Sequence, residues 1–129
     1  METQTMGEVV VEVTLTNLTE PTRTLTAPAV ADTGATRSSI PAPVAQELGL
    51  QTRAGALARY ADGRTEPVLI AEGLRWEIGG RVTEDEALIL GDQILIGQTV
   101  LEKTHWLVDC GGKRLVPDPR QPEYPIFRV

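Results

Sequence analysis

The chain has 129 residues, 41% of them hydrophobic, which suits one compact domain spanning 1–129 and leaves no room for two lobes of ordinary size. With 18 acidic against 12 basic residues the formal charge is -6, so a nucleic-acid backbone or an anionic membrane surface is electrostatically disfavoured as a partner. A single cysteine, Cys110, can form neither an internal disulfide nor a thiolate cluster for zinc, and neither the stretch Met1 to Val9 nor any later run is apolar enough to be a leader or a span, so the expectation is a soluble, cytoplasmic protein.

In chain order the pattern is mostly that of strands, rich in Val, Thr, Ile and Leu and broken at short intervals by Gly, Pro and Asp. Val9 to Thr16 predicts a strand, Asn17 to Pro21 a turn, and Thr22 to Ala31 a second strand that grows apolar toward its end and delivers Asp32. Pro41 to Leu50 breaks the pattern: a proline at the start, Val44, Ala45 and Leu48 at helical spacing, and Gly49 as a stop predict a short helix. Two hairpins follow, one turning at Asp62 and Gly63, the other at Gly79 and Gly80, dipeptides that accept positive φ. Ile94 to Ile96 is a short apolar run ending at Gly97, after which Gln98 to Lys103 can make a turn or two of helix. Trp106 to Asp109 and Arg114 to Val116 form the last pair of strands. The tail from Pro117 to Val129 carries four prolines before Ile126 and Phe127, which bars it from being an interior strand throughout.

The segment that carries chemistry is Val30-Ala31-Asp32-Thr33-Gly34-Ala35-Thr36. A carboxyl at the end of an apolar strand loses hydration, so it has to be paired, hydrogen-bonded or functional. Gly34 lets the backbone turn sharply and brings main-chain N–H groups toward that carboxyl, and the Thr33 hydroxyl can lock the loop. Taken alone, the triplet is better explained as a turn carboxylate capping nearby N–H groups. Asp109-Cys110-Gly111 repeats the pattern of apolar strand, Asp, small residue and Gly. Its cysteine is a poorer brace than threonine, and its two glycines, Gly111 and Gly112, suit a hairpin turn, so it is read as structural. The lone His105 has no Ser or Cys partner in a nucleophile motif and is read as packed or at the surface. The acidic run Glu84, Asp85 and Glu86 lacks calcium-loop spacing and is read as a solvated hairpin edge, leaving no metal site.

These motifs, in this order, resemble the retropepsin-like aspartic proteases, in particular their small bacterial single-domain members and the related domain of eukaryotic ubiquitin-linked shuttle proteins. Asp32-Thr33-Gly34-Ala35 is similar to the family's catalytic loop, Ile40 to Leu50 to the strand end and helix after it, and Ala61-Asp62-Gly63-Arg64 to its flap turn. Leu95-Ile96-Gly97-Gln98-Thr99-Val100-Leu101-Glu102 resembles the second signature, an apolar pair and glycine before a short helix, and the segments at 106–109 and 114–117 resemble the closing strands. Two departures stand out: the retroviral members carry arginine where this chain has Gln98, and Ile126 to Val129 is only loosely like their terminal strand.

The resemblance covers about residues 9–117, with 118–129 as a tail. It implies an all-β retropepsin-like acid protease fold, a closed or orthogonal barrel-like domain with one or two short helices, acting as a homodimer. Asp32 would be the catalytic residue, supported by Thr33, Gly34 and Ala35, with Leu95, Ile96 and Gly97 passing behind as a second signature and Ala61, Asp62, Gly63 and Arg64 forming the flap. Arg59, Tyr60, Arg64 and Trp76 could then contact substrate, with packing the alternative for Trp76. The activity implied is an aspartic endopeptidase without cofactor, acting on a peptide or protein substrate. The rival is a non-catalytic, dimeric β-sheet interaction module on the same fold.

Overall fold

The structure is a computed structural model describing residues 8–123. The segment Ile126 to Val129, and Met1 to Gly7 at the other end, lie outside the described residues.

The alternation in Val9–Asn17 folds as strand β1, with Val9, Val13 and Leu15 fully buried. It pairs antiparallel with β2 (Thr24–Ala31), from Val9 opposite Ala31 to Thr16 opposite Thr24. Asn17 anchors the six-residue connection between them. Its buried side-chain oxygen accepts hydrogen bonds from the Thr19 amide and hydroxyl, each at 2.9 Å, and its amide nitrogen donates to the Leu48 carbonyl at 2.8 Å. That carbonyl ends α1 (Ala42–Glu47), which follows the two-residue strand β3 (Ser39–Ile40). Gly49, at φ 63°, lets the Leu50 N–H reach back to the Ala45 carbonyl at 3.1 Å and closes the helix, shorter than expected but stopped by the expected residue.

Hairpin β4 (Thr52–Arg59) and β5 (Thr65–Ala71) comes next, then β6 (Leu74–Ile78) and β7 (Arg81–Glu84), joined through Gly79 and Gly80 with φ of 56° and 81°. Two consecutive positive φ values make the tight turn expected of that dipeptide. β8 (Ala87–Ile89) and β9 (Ile94–Ile96) lead into α2 (Gln98–Thr104), and β10 (Trp106–Asp109) pairs with β11 (Arg114–Pro117) as a separate two-stranded sheet. The other nine strands form one sheet in the order β4-β5-β8-β3-β9-β2-β1-β6-β7, curled as a half-barrel around a core that includes Leu15, Ile40, Leu74, Trp76, Ile96 and Leu101. Each such side chain contributes about 1.5–3 kcal/mol on burial. This is the mostly β, barrel-like architecture the sequence led to.

The pairing of β8 with β3 and of β9 with β2 is parallel. Such crossovers join residues distant in the chain, and here they bring the two signature segments side by side. Trp76 is wholly buried, its indole N–H donating to the Asp85 carbonyl at 3.1 Å, so its role is packing and not substrate contact. The buried Arg81 guanidinium lies 4.6 Å from the Trp106 ring and donates to the carbonyls of Thr104, His105 and Gln121, satisfying the end of α2 with a cation.

Candidate active site

Asp32 follows directly on β2, and its N–H continues the ladder to the Ile96 carbonyl at 2.9 Å. The register Ala29–Ile94, Val30–Leu95, Ala31–Ile96 therefore fixes where the candidate carboxyl stands relative to the second signature. The chain then turns. The Gly34 N–H donates to Asp32 Oδ1 at 2.9 Å and the Ala35 N–H to the Asp32 carbonyl at 3.2 Å. A Cβ on Gly34 would sit 3.2 Å from Oδ1, so glycine gives that carboxylate room while supplying its donor. Asp32 is half-buried. Thr33 is exposed, and its hydroxyl has no partner among the described residues.

Beyond Ala35 the loop is locked against Gly97 and the start of α2. Gln98 N–H donates to the Ala35 carbonyl at 2.8 Å, Thr99 N–H to the Thr36 carbonyl at 3.2 Å, and the buried Gly97 N–H to Ser38 Oγ at 2.8 Å. The otherwise orphaned first amides of the helix are thus spent on the Asp32 loop. A Cβ at Gly97 would lie 2.4 Å from the Arg37 carbonyl carbon and 2.7 Å from the Ser38 nitrogen, so only glycine allows the two segments to cross. Leu95 and Ile96 carry the crossing strand, Ile96 fully buried. The Gln98 side chain bonds to Glu102 within its own helix, at 3.0 Å.

Three of the residues involved escape a reading of the sequence. Ser38 is buried and looks like any loop serine; only its position three residues after Ala35, directly before the short strand β3, hints at a brace. Asp85 overturns the expected solvated edge: its side chain is 6% exposed, accepts from Thr99 Oγ1 at 2.8 Å and pairs with Arg37 at 3.2 Å and Lys103 at 3.3 Å. Its neighbour Glu86 pairs with Arg53 and Arg37, and the Arg53 guanidinium holds its carboxyl below the usual range. Among the described residues no group of three or more His, Cys, Asp and Glu is placed to hold a metal ion.

Asp109 stands in a different setting. It begins the β10–β11 turn, where Oδ1 accepts the Gly112 N–H at 3.0 Å and Oδ2 faces Arg114 Nε at 3.4 Å. The Gly112 N–H is the main cause holding its carboxyl below the usual range, with Arg114 adding to it. It is a turn carboxylate, and the positive φ of that turn falls on Lys113 and not on the glycines. His105 caps α2 in a left-handed conformation, φ 57°.

The β4–β5 hairpin that carries the flap-like turn runs from Thr52 to Ala71. Its tip is a three-residue loop, Ala61-Asp62-Gly63, closed by Gly63 N–H to the Tyr60 carbonyl at 2.9 Å and Tyr60 N–H to the Arg64 carbonyl at 2.8 Å. Only Gly63 takes positive φ, 85°, so the turn is a type I turn with a glycine bulge and not a two-residue turn on Asp62 and Gly63. Asp62 Oδ1 accepts the Arg64 N–H at 2.9 Å and the Arg64 guanidinium lies 4.5 Å from the Tyr60 ring. No hydrogen bond or ion pair among the described residues joins this tip to the Asp32 loop. A cleft of about 360 Å³ lies beside β2, lined by Val10, Val30, Pro41, Val44 and Ile94 together with Asp92 and Gln93. Val30, two residues before Asp32, shares its face of the strand by alternation.

Comparison with known proteins bears on family and fold. The sequence model of a family described as Aspartyl protease matches residues 11–100. Among solved structures the fold is similar to that of the EIAV protease complexed with the inhibitor HBY-793, with a TM-score of 0.60, 13% identity, and coverage of 79% of this chain and 92% of that one. At that identity the likeness is one of fold. No curated protein matches the chain significantly.

Proposed function

The chain belongs to the retropepsin-like aspartyl protease family, and we propose that it is an endopeptidase in which two copies each contribute one Asp32 to a shared catalytic pair. The observation that carries this reading is the Asp32 loop itself: a half-buried carboxyl just past the end of an interior strand, given one backbone donor by Gly34 and held by interlock with Gly97. Each chain supplies one such loop, since Asp109 is occupied by its own turn. Residues 1–129 then act as one unit, and the exposed Thr33 hydroxyl would brace the loop of the other copy.

Two carboxyls brought that close cannot both ionise cheaply, so the pair shares a proton and titrates as a unit. The carboxylate takes a proton from a bound water, whose oxygen attacks the peptide carbonyl carbon, while the carboxylic acid protonates the carbonyl oxygen. Collapse of the tetrahedral intermediate breaks the C–N bond as the leaving amine takes up a proton from the pair. An extended peptide would be held by backbone pairing under the β4–β5 flaps, with Ala61 to Arg64 at their tips and an apolar side chain in the cleft beside Val30. No cofactor takes part, and a cytoplasmic setting suits the free, exposed Cys110.

The test is hydrolysis of a diverse peptide library from acidic to neutral pH by wild type, Asp32→Asn and Asp109→Asn, with circular dichroism on each. Loss of cleavage in Asp32→Asn alone, with the fold intact, supports the assignment. Equal loss in both variants, or normal activity without the Asp32 acid, sinks it. A folded wild type that cleaves nothing would favour the β-sheet interaction module.

A further inference from the structure

The β4–β5 hairpin is two structures in one. Its root is part of the large sheet: Leu69, Ile70 and Ala71 of β5 pair with Ile89, Leu88 and Ala87 of β8. Beyond Leu69 it is, among the described residues, a ribbon of two strands, with Ala56 to Arg59 paired to Val68 to Thr65 and no third described strand alongside. A two-stranded ribbon is stiffened by little except its root. At the boundary the register slips, from Arg53 opposite Ile70 to Ala56 opposite Val68, so that Ala54 and Gly55 face Leu69 alone. Gly55 is at φ 112°, with nothing within 4 Å of where a Cβ would be. This bulge, with its unencumbered glycine, is where the arm can bend.

The residue on the body side of the bulge is Arg53. Its guanidinium pairs with Glu72, just past β5, at 3.0 Å and with Glu86, which stands immediately before β8. Glu86 also faces Arg37 at 3.7 Å, and Arg37 pairs at 3.2 Å with Asp85, which Thr99 and Lys103 of α2 hold from the other side. Three cations thus face three carboxylates in one continuous chain, from the root of the arm to the loop that follows Asp32. The backbone runs the same course: β8 pairs with β5 on one side and β3 on the other, and the Leu88 N–H donates to the Ser38 carbonyl at 2.9 Å.

Resting on the peptidase reading and its flap, we propose that Glu86 is a positioning residue, one that fixes the pivot of the arm at Ala54–Gly55 in register with the Asp32 loop. Glu86 touches no reacting atom. Half-exposed ion pairs such as these add little to global stability. What the bridge governs is how far the root of the arm can shift relative to the Asp32 loop, and hence where the tip closes.

The experiment is backbone ¹⁵N relaxation on the intact protein without substrate, for wild type, Glu86→Gln, Arg53→Met, Arg53→Lys and Glu20→Gln. Glu20→Gln removes another exposed pair, Glu20 with Arg23 at 2.7 Å, and is the control for loss of charge alone. Order parameters from Leu57 to Thr65 should fall by about 0.1 or more in Glu86→Gln and Arg53→Met, on a scale where rigid backbone lies near 0.85. Arg53→Lys and Glu20→Gln should stay close to wild type, and Val13 and Ile96 should be unchanged in all five proteins. On a cleaved peptide, Glu86→Gln should raise KM about two- to fivefold with kcat much less affected, the pattern of a closing element set loose. Unchanged order parameters in the arm, or loosening of arm and core together, would overturn the proposal. Because relaxation needs no turnover, an inert wild type would count against the peptidase reading and leave the coupling measurement standing.

Discussion

Gly97→Ala adds one methyl group where the second signature crosses the Asp32 loop. Its Cβ would lie 2.4 Å from the carbonyl carbon of Arg37, 2.6 Å from that carbonyl oxygen and 2.7 Å from the Ser38 nitrogen. All three are backbone atoms, and ordinary carbon contacts lie near 3.5–4.0 Å, so the two segments must separate by about 1 Å. That displacement strains or breaks the Gly97 to Ser38 hydrogen bond of 2.8 Å, which is buried, and the Gln98 to Ala35 bond of 2.8 Å beside it. Overpacking costs about 1–3 kcal/mol, and leaving a buried donor unsatisfied costs about 1–3 kcal/mol more. The expected loss is therefore about 2–6 kcal/mol, a large part of the 5–15 kcal/mol typical of a native protein. Equilibrium urea unfolding measures it, with Gly111→Ala as control: Gly111 has an ordinary φ and its nearest atom is the end of the Asp109 side chain at 3.6 Å. Gly111→Ala should change stability by no more than about 0.5 kcal/mol. If Gly97→Ala proves equally neutral, the interlock does not hold the Asp32 loop as described.

Other outcomes follow from the same geometry. Asn17→Ala removes the acceptor of two Thr19 bonds and the donor to Leu48, so denaturant unfolding should show a loss of about 2–4 kcal/mol; a loss below about 0.5 kcal/mol would contradict its place as the anchor between the β1–β2 turn and α1. Asp118 has its carboxyl lowered to about 2, chiefly by the Arg120 guanidinium and then by the Arg120 N–H. With the folded value below the unfolded one, its contribution is present above pH of about 4 and is lost as pH falls toward 2. The melting temperature of Asp118→Asn should therefore lie below that of wild type at pH 6 and converge on it in acid, and a gap independent of pH would refute the pairing. Gly63→Val meets no clash but forces a β-branched residue to φ 85°, so it should lower kcat/KM while sedimentation shows the same assembly; full activity would remove the tip from the mechanism.

Much of the site was legible because its parts are local. Asp32, Gly34 and Ala35 form a turn whose hydrogen bonds span two or three residues, and Gly97 stands directly between an apolar strand and a helix. The contacts that complete it are not local. Ser38 meets Gly97 across 59 residues. Asp85 meets Arg37 across 48 residues, and no local pattern in an acidic run distinguishes a solvated carboxylate from one enclosed by two cations. The parallel pairing of β8 with β3 was invisible for the same reason, since β3 has only two residues. Trp76, ambiguous by sequence alone, was settled by alternation with Leu74 and Ile78 on the inner face of β6. The bulge at Ala54–Gly55 needed the register of both strands to be seen at all.

The shared pair is tested most directly by mixing. Wild type and Asp32→Asn chains, combined in varying proportion at fixed total concentration under conditions of subunit exchange, are assayed for peptide cleavage. If each active site needs an intact Asp32 from two copies, activity follows the square of the wild-type fraction, leaving about one quarter at an equal mixture. Activity that falls in direct proportion to the wild-type fraction would show that each chain works alone, and the two-copy account would be wrong.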